Sequence, residues 1–202
     1  MSIVKSIEEL EAIYGQPGEA SIIKVSDRLT KGYRTLIEAS PLMALATCGP
    51  EGLDCSPRGD SGQVITIKDD RTLILPDRRG NNRMDSLRNI VRDGRVALMF
   101  LIPGSNTTLR VNGCAEISVD PDLLESLSME GKLPRSAIII TIGEVYFQCA
   151  RALMRAKLWE PDAWPDTSAL PSPGRLMLEL KQDFDSQGYD REWPERAKTS
   201  MW

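Results

Sequence analysis

From Leu42 onward the chain alternates apolar and polar residues with a period of two, in short runs closed by turn signals. "LMALATC" (42–48) and "LDCSPR" (53–58) flank the turn "GPEG". "QVITI" (63–67) and "TLILP" (72–76) flank "KDDR", and "RVALMFLI" (95–102) and "LRVNGCAEISV" (109–119) flank "PGSNTT". In the last of these, Leu109, Val111, Ala115, Ile117 and Val119 fall on one side and Arg110, Asn112, Glu116 and Ser118 on the other. "AIIITIGEVYFQ" (137–148) reads as a final long strand. Strands that arrive in order, mostly as hairpins, predict a small antiparallel barrel. The fold class is mainly β with flanking helices (α+β), not a parallel α/β sheet.

The period changes to that of a helix elsewhere. A helix is predicted over 4–15 and another over 26–39, with Val25, Leu29, Tyr33 and Leu36 on one face and Ser40-Pro41 as its stop. "NNRMDSLRNIVRDG" (81–94) offers an asparagine cap, an apolar face of Met84, Leu87 and Val91, and a closing Gly94. "DPDLLESLSMEG" (120–131) and the basic "CARALMRAKLW" (149–159) follow the same logic. Residues 160–174 are proline-rich and read as a surface connector, and 175–184 as a short helix before a polar tail ending in Trp202. The expected organisation is one domain over 1–202: N-terminal helices 1–40, a barrel with inserted helices 41–148, and C-terminal helices and tail 149–202.

Composition narrows the function. At 41% hydrophobic and 27% charged the chain is of ordinary globular type. No run of 18 apolar residues occurs, and "MSIVKSIEELEAIYG" reads as an amphipathic helix and not a signal peptide, so the expected location is the cytoplasm. Cys48, Cys55, Cys114 and Cys149 lack CxxC spacing and are expected to be reduced and partly buried. A net charge of −4 argues against non-specific nucleic-acid binding, and 5% aromatics against a base-stacking barrel. No membrane or nucleic-acid partner is expected. The chain has no histidine, which excludes Ser-His-Asp and Cys-His catalysis and histidine-ligated zinc, iron or haem. A bound organic cofactor is then the natural agent of any chemistry.

Positive charge is concentrated locally. "DCSPRGDSG" (54–62) carries Arg58 at a strand end; its Arg-Gly-Asp letters would be an adhesion tag only in an extracellular protein. "PDRRGNNR" (76–83) places Arg78, Arg79 and Arg83 at a strand-to-helix corner. That corner has what a phosphate needs: guanidinium forks, Gly80 for close backbone approach, and the start of a helix. Asn81 and Asn82 could cap that helix or donate to a ligand. The plainer reading is a solvated rim of arginines. No GxxxxGK[ST] or GxGxxG fingerprint is present. Trp159, Trp164, Cys55 and the basic face of Arg151, Arg155 and Lys157 read more simply as packing or surface residues.

In order, "SPRGDSGQ", "LILPDRRGNNR", "MDSLRNI", "GRVALMF" and "TLRVNGCAEI" resemble the FMN-binding split barrels of the pyridoxamine 5′-phosphate oxidase type, from about Leu42 to Val119. The resemblance implies a split β-barrel and a homodimer with FMN at the interface. It implies that Ser56, Arg58, Gly59, Asp60 and Gln63 run along the flavin, with Asp60 as an acceptor or an orienting partner for Arg58. Leu75 and Pro76 would offer backbone groups to the ring edge. Asn82 and Arg83, helped by Arg79 and Asn81, would hold the phosphate, and Arg110 would reach the flavin of the partner subunit. The implied activity is an FMN-dependent oxidoreductase that positions substrate for hydride or electron transfer, with no catalytic side chain assigned. The true oxidase holds its vitamin substrate with a C-terminal arginine and histidine; this chain ends "AKTSMW" without histidine, so that reaction is not expected. Gln63 and Asn82 stand where such proteins carry basic residues. Two alternatives stay open: a deazaflavin (F420)-dependent reductase on the same fold, and a non-catalytic flavin-binding protein. The substrate is not readable from the sequence.

Overall fold

The computed structural model describes residues 2–201; Trp202, the end of the predicted tail, lies outside them. Seven strands form one antiparallel sheet: β1 (Leu42–Gly49), β2 (Gly52–Gly59), β3 (Thr66–Ile67), β4 (Thr72–Pro76), β5 (Arg95–Leu101), β6 (Thr108–Ser118) and β7 (Ala137–Gln148). Their order is β2-β1-β5-β6-β7-β4-β3, so the sheet curls without closing. The period-two pattern builds this sheet. Met43 and Leu45 of β1, Leu98 and Phe100 of β5, Leu109 and Val111 of β6, and Ile138 and Ile140 of β7 are all buried on one face. The register between β6 and β7 slips by one residue at Asn112/Gly113. A side chain at Gly113 would put its Cβ 2.1 Å from the Thr141 carbonyl, so only glycine fits this bulge.

Among the described residues there are eight α-helices: α1 (Ile7–Tyr14), α2 (Glu19–Ile23), α3 (Lys31–Glu38), α4 (Asp85–Arg92), α5 (Pro121–Ser126), α6 (Arg151–Ala156), α7 (Pro173–Leu180) and α8 (Ser186–Ser200). Several differ from expectation: α2 lies where no helix is predicted, and α5 and α6 are shorter than the 120–131 and 149–159 read from the sequence. The helix predicted over 26–39 begins later, because Ser26 pairs with Val145 of β7 and the Thr30 hydroxyl caps the Tyr33 N–H. The helix predicted over 81–94 shortens to α4, has Met84 at its N-cap with no side-chain cap, and of the apolar face read from its sequence packs only Leu87 on the core. Val91 is 76% exposed; Ser86, Asn89 and Ile90 point inward instead. The polar tail is the longest helix, α8. It is opened by the Asp185 carboxylate, which accepts from the Gly188 N–H, and it contains Pro194.

The cysteines also differ: Cys55, Cys114 and Cys149 are exposed and only Cys48 is half-buried, all four as free thiols. Among the described residues no helix is long and apolar enough to cross a membrane.

The opening of the barrel sets up the site. β2 is one edge of the sheet, and β3 pairs with β4 only at Ile74 and Leu73. Leu75 and Pro76 therefore have β7 on one side and no strand on the other. Proline suits that position because it has no N–H to leave unpaired. The ends of β2 and β4 face each other across this split.

Candidate functional site

Arg58 is placed by β2, whose alternate residues Asp54, Ser56 and Arg58 turn toward α4. There Ser86, buried on the first turn of α4, is a hub. Its hydroxyl donates to Asp54 Oδ2 at 2.5 Å, lies 3.1 Å from the Ser56 hydroxyl, and accepts from Arg58 Nη2 at 3.3 Å. The buried Arg58 Nε has no hydrogen-bond partner. The same polar face of α4 continues to Asn89, whose amide donates to Thr47 Oγ1 at 3.1 Å. Gly49 lets the helix come this close; a Cβ there would lie 2.3 Å from Asn89 Oδ1.

Across the split, Arg78 bridges strand ends. Its Nε donates to Asp60 Oδ2 at 2.9 Å and its Nη1 to the Leu127 carbonyl at 2.8 Å. Asp60 is therefore held by Arg78 and not by Arg58. Both groups are largely shielded from water. Such a pair, carrying extra hydrogen bonds on both partners, pins the corner more than it adds net stability. Beside it, burial pushes the Asp77 carboxyl above its ordinary range, while the charges of Arg58 and Arg135 pull the other way.

Two adjoining cavities fill the split. One, of about 250 Å³, is bounded by Arg58, Gly59 and Asp60 on one side and by Leu75, Pro76 and Arg79 on the other. The second, of about 300 Å³, shares Arg58 and Arg79 and adds Asn81, Asn82, Arg83 and Arg135. Asn82 takes the left-handed conformation (φ 61°), and its Oδ1 accepts from Arg135 Nη1 at 2.8 Å. Asn81 Oδ1 accepts from the Arg83 N–H at 3.0 Å, and the Arg83 guanidinium engages Asp85. Arg79 Nη1 donates to the Thr199 carbonyl of α8 at 3.2 Å.

Of the sequence candidates, Ser56 and Gln63 lie outside the two cavities, and Arg110, expected to reach the partner's flavin, lies away from this chain's own split. Ser56 serves the Ser86 hub behind Arg58. Gln63 donates to the Ile65 carbonyl and lines neither cavity. The Arg110 guanidinium stacks over the Tyr146 ring at 5.2 Å, away from the split. In the other direction, Arg135, Asp77 and Ser86 belong to the site without having been singled out. Arg135 arrives through the non-local β4–β7 register, in which the Asp77 N–H donates to the Ser136 carbonyl. Nothing in the local sequence "KLPRS" announces that pairing.

Arg58, Arg79, Arg83 and Arg135 converge on a corner that also holds three carboxyl groups: Asp60 and Asp85, each engaged by an arginine, and Asp77, which lines both cavities and whose neutral form burial favours. The surplus of guanidinium groups over an apolar floor makes this corner suit an anion. The span that builds it is also where a match to known proteins falls. Residues 29–149, more than half of the chain, match the family profile described as pyridoxamine 5′-phosphate oxidase. The chain belongs to this family. α7 and α8 lie beyond the matched residues. No curated protein matches the chain in sequence. Among solved structures, HupZ of Group A Streptococcus is 20% identical with a TM-score of 0.49, covering 60% of this chain and 94% of that one. A Clostridium acetobutylicum protein related to general stress protein 26, of the pyridoxinephosphate oxidase family, is 18% identical with a TM-score of 0.47, covering 58% and 86%. An F420 reductase is 22% identical with a TM-score of 0.43, covering 59% and 98%.

Proposed function

We propose that this member of the pyridoxamine 5′-phosphate oxidase family binds FMN in the split between β2 and β4 and acts as an FMN-dependent oxidoreductase. One observation carries the reading. Arg58 lines both cavities, and its buried Nε has no acceptor. An unmet buried donor costs about 1–3 kcal/mol, more when charged, and an anionic or carbonyl oxygen of a ligand would relieve it. The donor set fits FMN: Arg79, Arg83, Arg135 and Asn82 for the phosphate, and Gly59, Leu75 and Pro76 as a low, partly apolar wall for the ring. When bound, FMN supplies the hydride or electron chemistry that the side chains of this chain cannot. The protein binds and orients it; Ser86 fixes the Arg58 guanidinium and Asp60 fixes Arg78.

The same reading makes the protein a homodimer, with Arg110 offered to the flavin of the partner subunit. Support comes from exposed Leu42 and Met99 on the outward face of β1 and β5, the sheet face that carries Arg110. Free thiols fit a reducing compartment such as the cytoplasm.

The test is a flavin-fluorescence titration. Wild type is expected to quench FMN on binding, and Arg58→Ala to weaken binding by about tenfold or more, which is about 1.4 kcal/mol per decade. Arg58→Ala binding as tightly as wild type would remove the reading's support. A second reading, a deazaflavin, has one observation in its favour. A cleft of about 340 Å³ opens beyond Arg83 and gives room for a longer tail; it also holds Glu51, Asp54 and Asp85, with Arg92 paired to Glu51 and Arg83 to Asp85, so Arg88 is the cation it offers. Tighter binding of F420 than of FMN in the same titration would select it.

A further inference from the structure

The N-terminal arm, α1 and α2, buries none of its residues. Yet Ile7, Leu10, Ile13 and Tyr14 follow one another on α1 at spacings of three and four, which sets them in one stripe, and all four are exposed. Glu8, Glu9 and Glu11 flank that stripe. Ile22 and Ile23 of α2 extend the exposed apolar surface. The Ser6 hydroxyl caps α1 by accepting from the Glu9 N–H at 3.1 Å. A cap alone does not hold a helix of eight residues, which is marginal in water and takes its stability from packing of an apolar face. A contiguous exposed apolar surface of this kind marks an interaction site.

A surface of complementary character lies on α6. Residues 149–159 contain no acidic side chain. Met154 and Leu158 are exposed there, among Arg151, Arg155 and Lys157. α6 buries no residue either. Among the described residues, neither these three cations nor Glu8, Glu9 and Glu11 have an ion-pair partner. Two surfaces that match in shape of charge and do not meet within one chain can meet between two. The root of the arm borders the sheet face through which two copies would join. Ser26 exchanges backbone hydrogen bonds with Val145 at 3.0 and 2.7 Å. The Lys24 ammonium lies over the Tyr146 ring at 5.6 Å, the ring on which Arg110 stacks. From that root the connector Gly15-Gln16-Pro17-Gly18 carries α1 away from its own sheet. The glutamates disfavour a bilayer as the partner, since helices that lie on anionic lipid carry basic polar faces.

We propose that α1 is an exchanged arm that docks on α6 of a second copy of this chain, its apolar stripe over Met154 and Leu158 and its glutamates beside Arg151 and Arg155. A two-fold relation makes the exchange reciprocal, so one dimer holds two such contacts. The proposal rests on the homodimer part of the reading above and adds the element that clasps the two copies. The apolar contact supplies the affinity, and the charges set register and choice of partner. α1 and α6 both lie outside residues 29–149, so the clasp is not supplied by the part of the chain that matches the family.

Sedimentation equilibrium of the full chain reads the dimer dissociation constant. The double variant Ile7→Asp, Leu10→Asp raises it by about tenfold or more. Its monomer keeps the near-ultraviolet circular dichroism of wild type, since neither side chain is buried in the chain. Glu8→Lys with Glu11→Lys weakens the dimer, and so does Arg151→Glu with Arg155→Glu. An equimolar mixture of these two charge-reversed chains recovers a dimer within about threefold of wild type, because each arm then meets an α6 of opposite charge. Weakening without recovery in the mixture would place the contact within one chain and overturn the proposal. Arm variants that dimerise as tightly as wild type would overturn it and leave the homodimer standing. A wild type that stays monomeric would overturn both. FMN binding is read separately by fluorescence. An arm-dependent dimer that does not bind FMN would uphold the arm while sinking the flavin reading.

Discussion

The ladder of β5, β6 and β7 and the corner of β2, α4 and β4 both bury side chains, and they do so by opposite means. In the ladder, Phe100, Leu109, Val111 and Ile140 are fully enclosed and need only neighbours of the right volume. In the corner, Ser86, Asn89, Asp60 and Arg58 are enclosed because each has found a polar partner, with one exception. The ladder is satisfied by the chain alone. The corner is not, since Arg58 Nε waits for an acceptor that the chain does not supply. A fold can bury charge at a site when the residual demand is left for a ligand.

Three substitutions test the contrast. Phe100→Ala should be the most damaging, removing about 3–5 kcal/mol of stability by the transfer and cavity cost of a buried phenyl ring, read from urea unfolding. A loss under about 1 kcal/mol would mean that the ladder is not the principal core. Asn89→Ala should cost less, about 1–3 kcal/mol, because it strands the buried Thr47 hydroxyl without its donor. Unfolding at unchanged denaturant midpoint would show that the α4 face needs no polar pairing.

Asp77→Asn should have the smallest effect, and one that depends on pH. Burial holds the Asp77 carboxyl above its ordinary 3.8, so the folded chain keeps that proton to higher pH than the unfolded chain. The carboxyl's contribution to stability is present at acid pH and is lost as pH rises from 3.8 through the raised value. Stability of Asp77→Asn minus that of wild type should therefore grow across this window and then level off. A difference that shrinks with rising pH would mean that the Arg58 and Arg135 charges, not burial, set the Asp77 carboxyl.

The two regions were also unequally legible. Alternation in "RVALMFLI" and "AIIITIGEVYFQ" places strands almost to the residue, because a one-sided sheet must bury every second side chain. The same logic misreads α4. Its sequence offers Met84, Leu87 and Val91 as an apolar stripe, yet of these only Leu87 packs on the core; the helix buries Ile90 beside it and turns Ser86 and Asn89 inward toward β1 and β2. Propensity and periodicity give the helix; only the partner decides its face. Of the site, the arginine clusters around Arg58 and Arg79 were visible because they are local. Arg135 was not, because the β4–β7 register brings it in from far along the chain. Gln63 was carried over from a family pattern, and the chain turns it to the Ile65 carbonyl, outside the split; Arg110, carried over as a contact to the partner's flavin, lies on the outward sheet face.

The central claim is that the split holds FMN on Arg58. The most direct measurement is the visible absorbance of the purified protein after mixing with FMN and passage through a desalting column, for wild type and for Arg58→Ala. Stoichiometric flavin bands retained by wild type and lost by Arg58→Ala are the predicted result. A wild-type protein that emerges colourless, or an Arg58→Ala variant that stays as yellow as wild type, would contradict it.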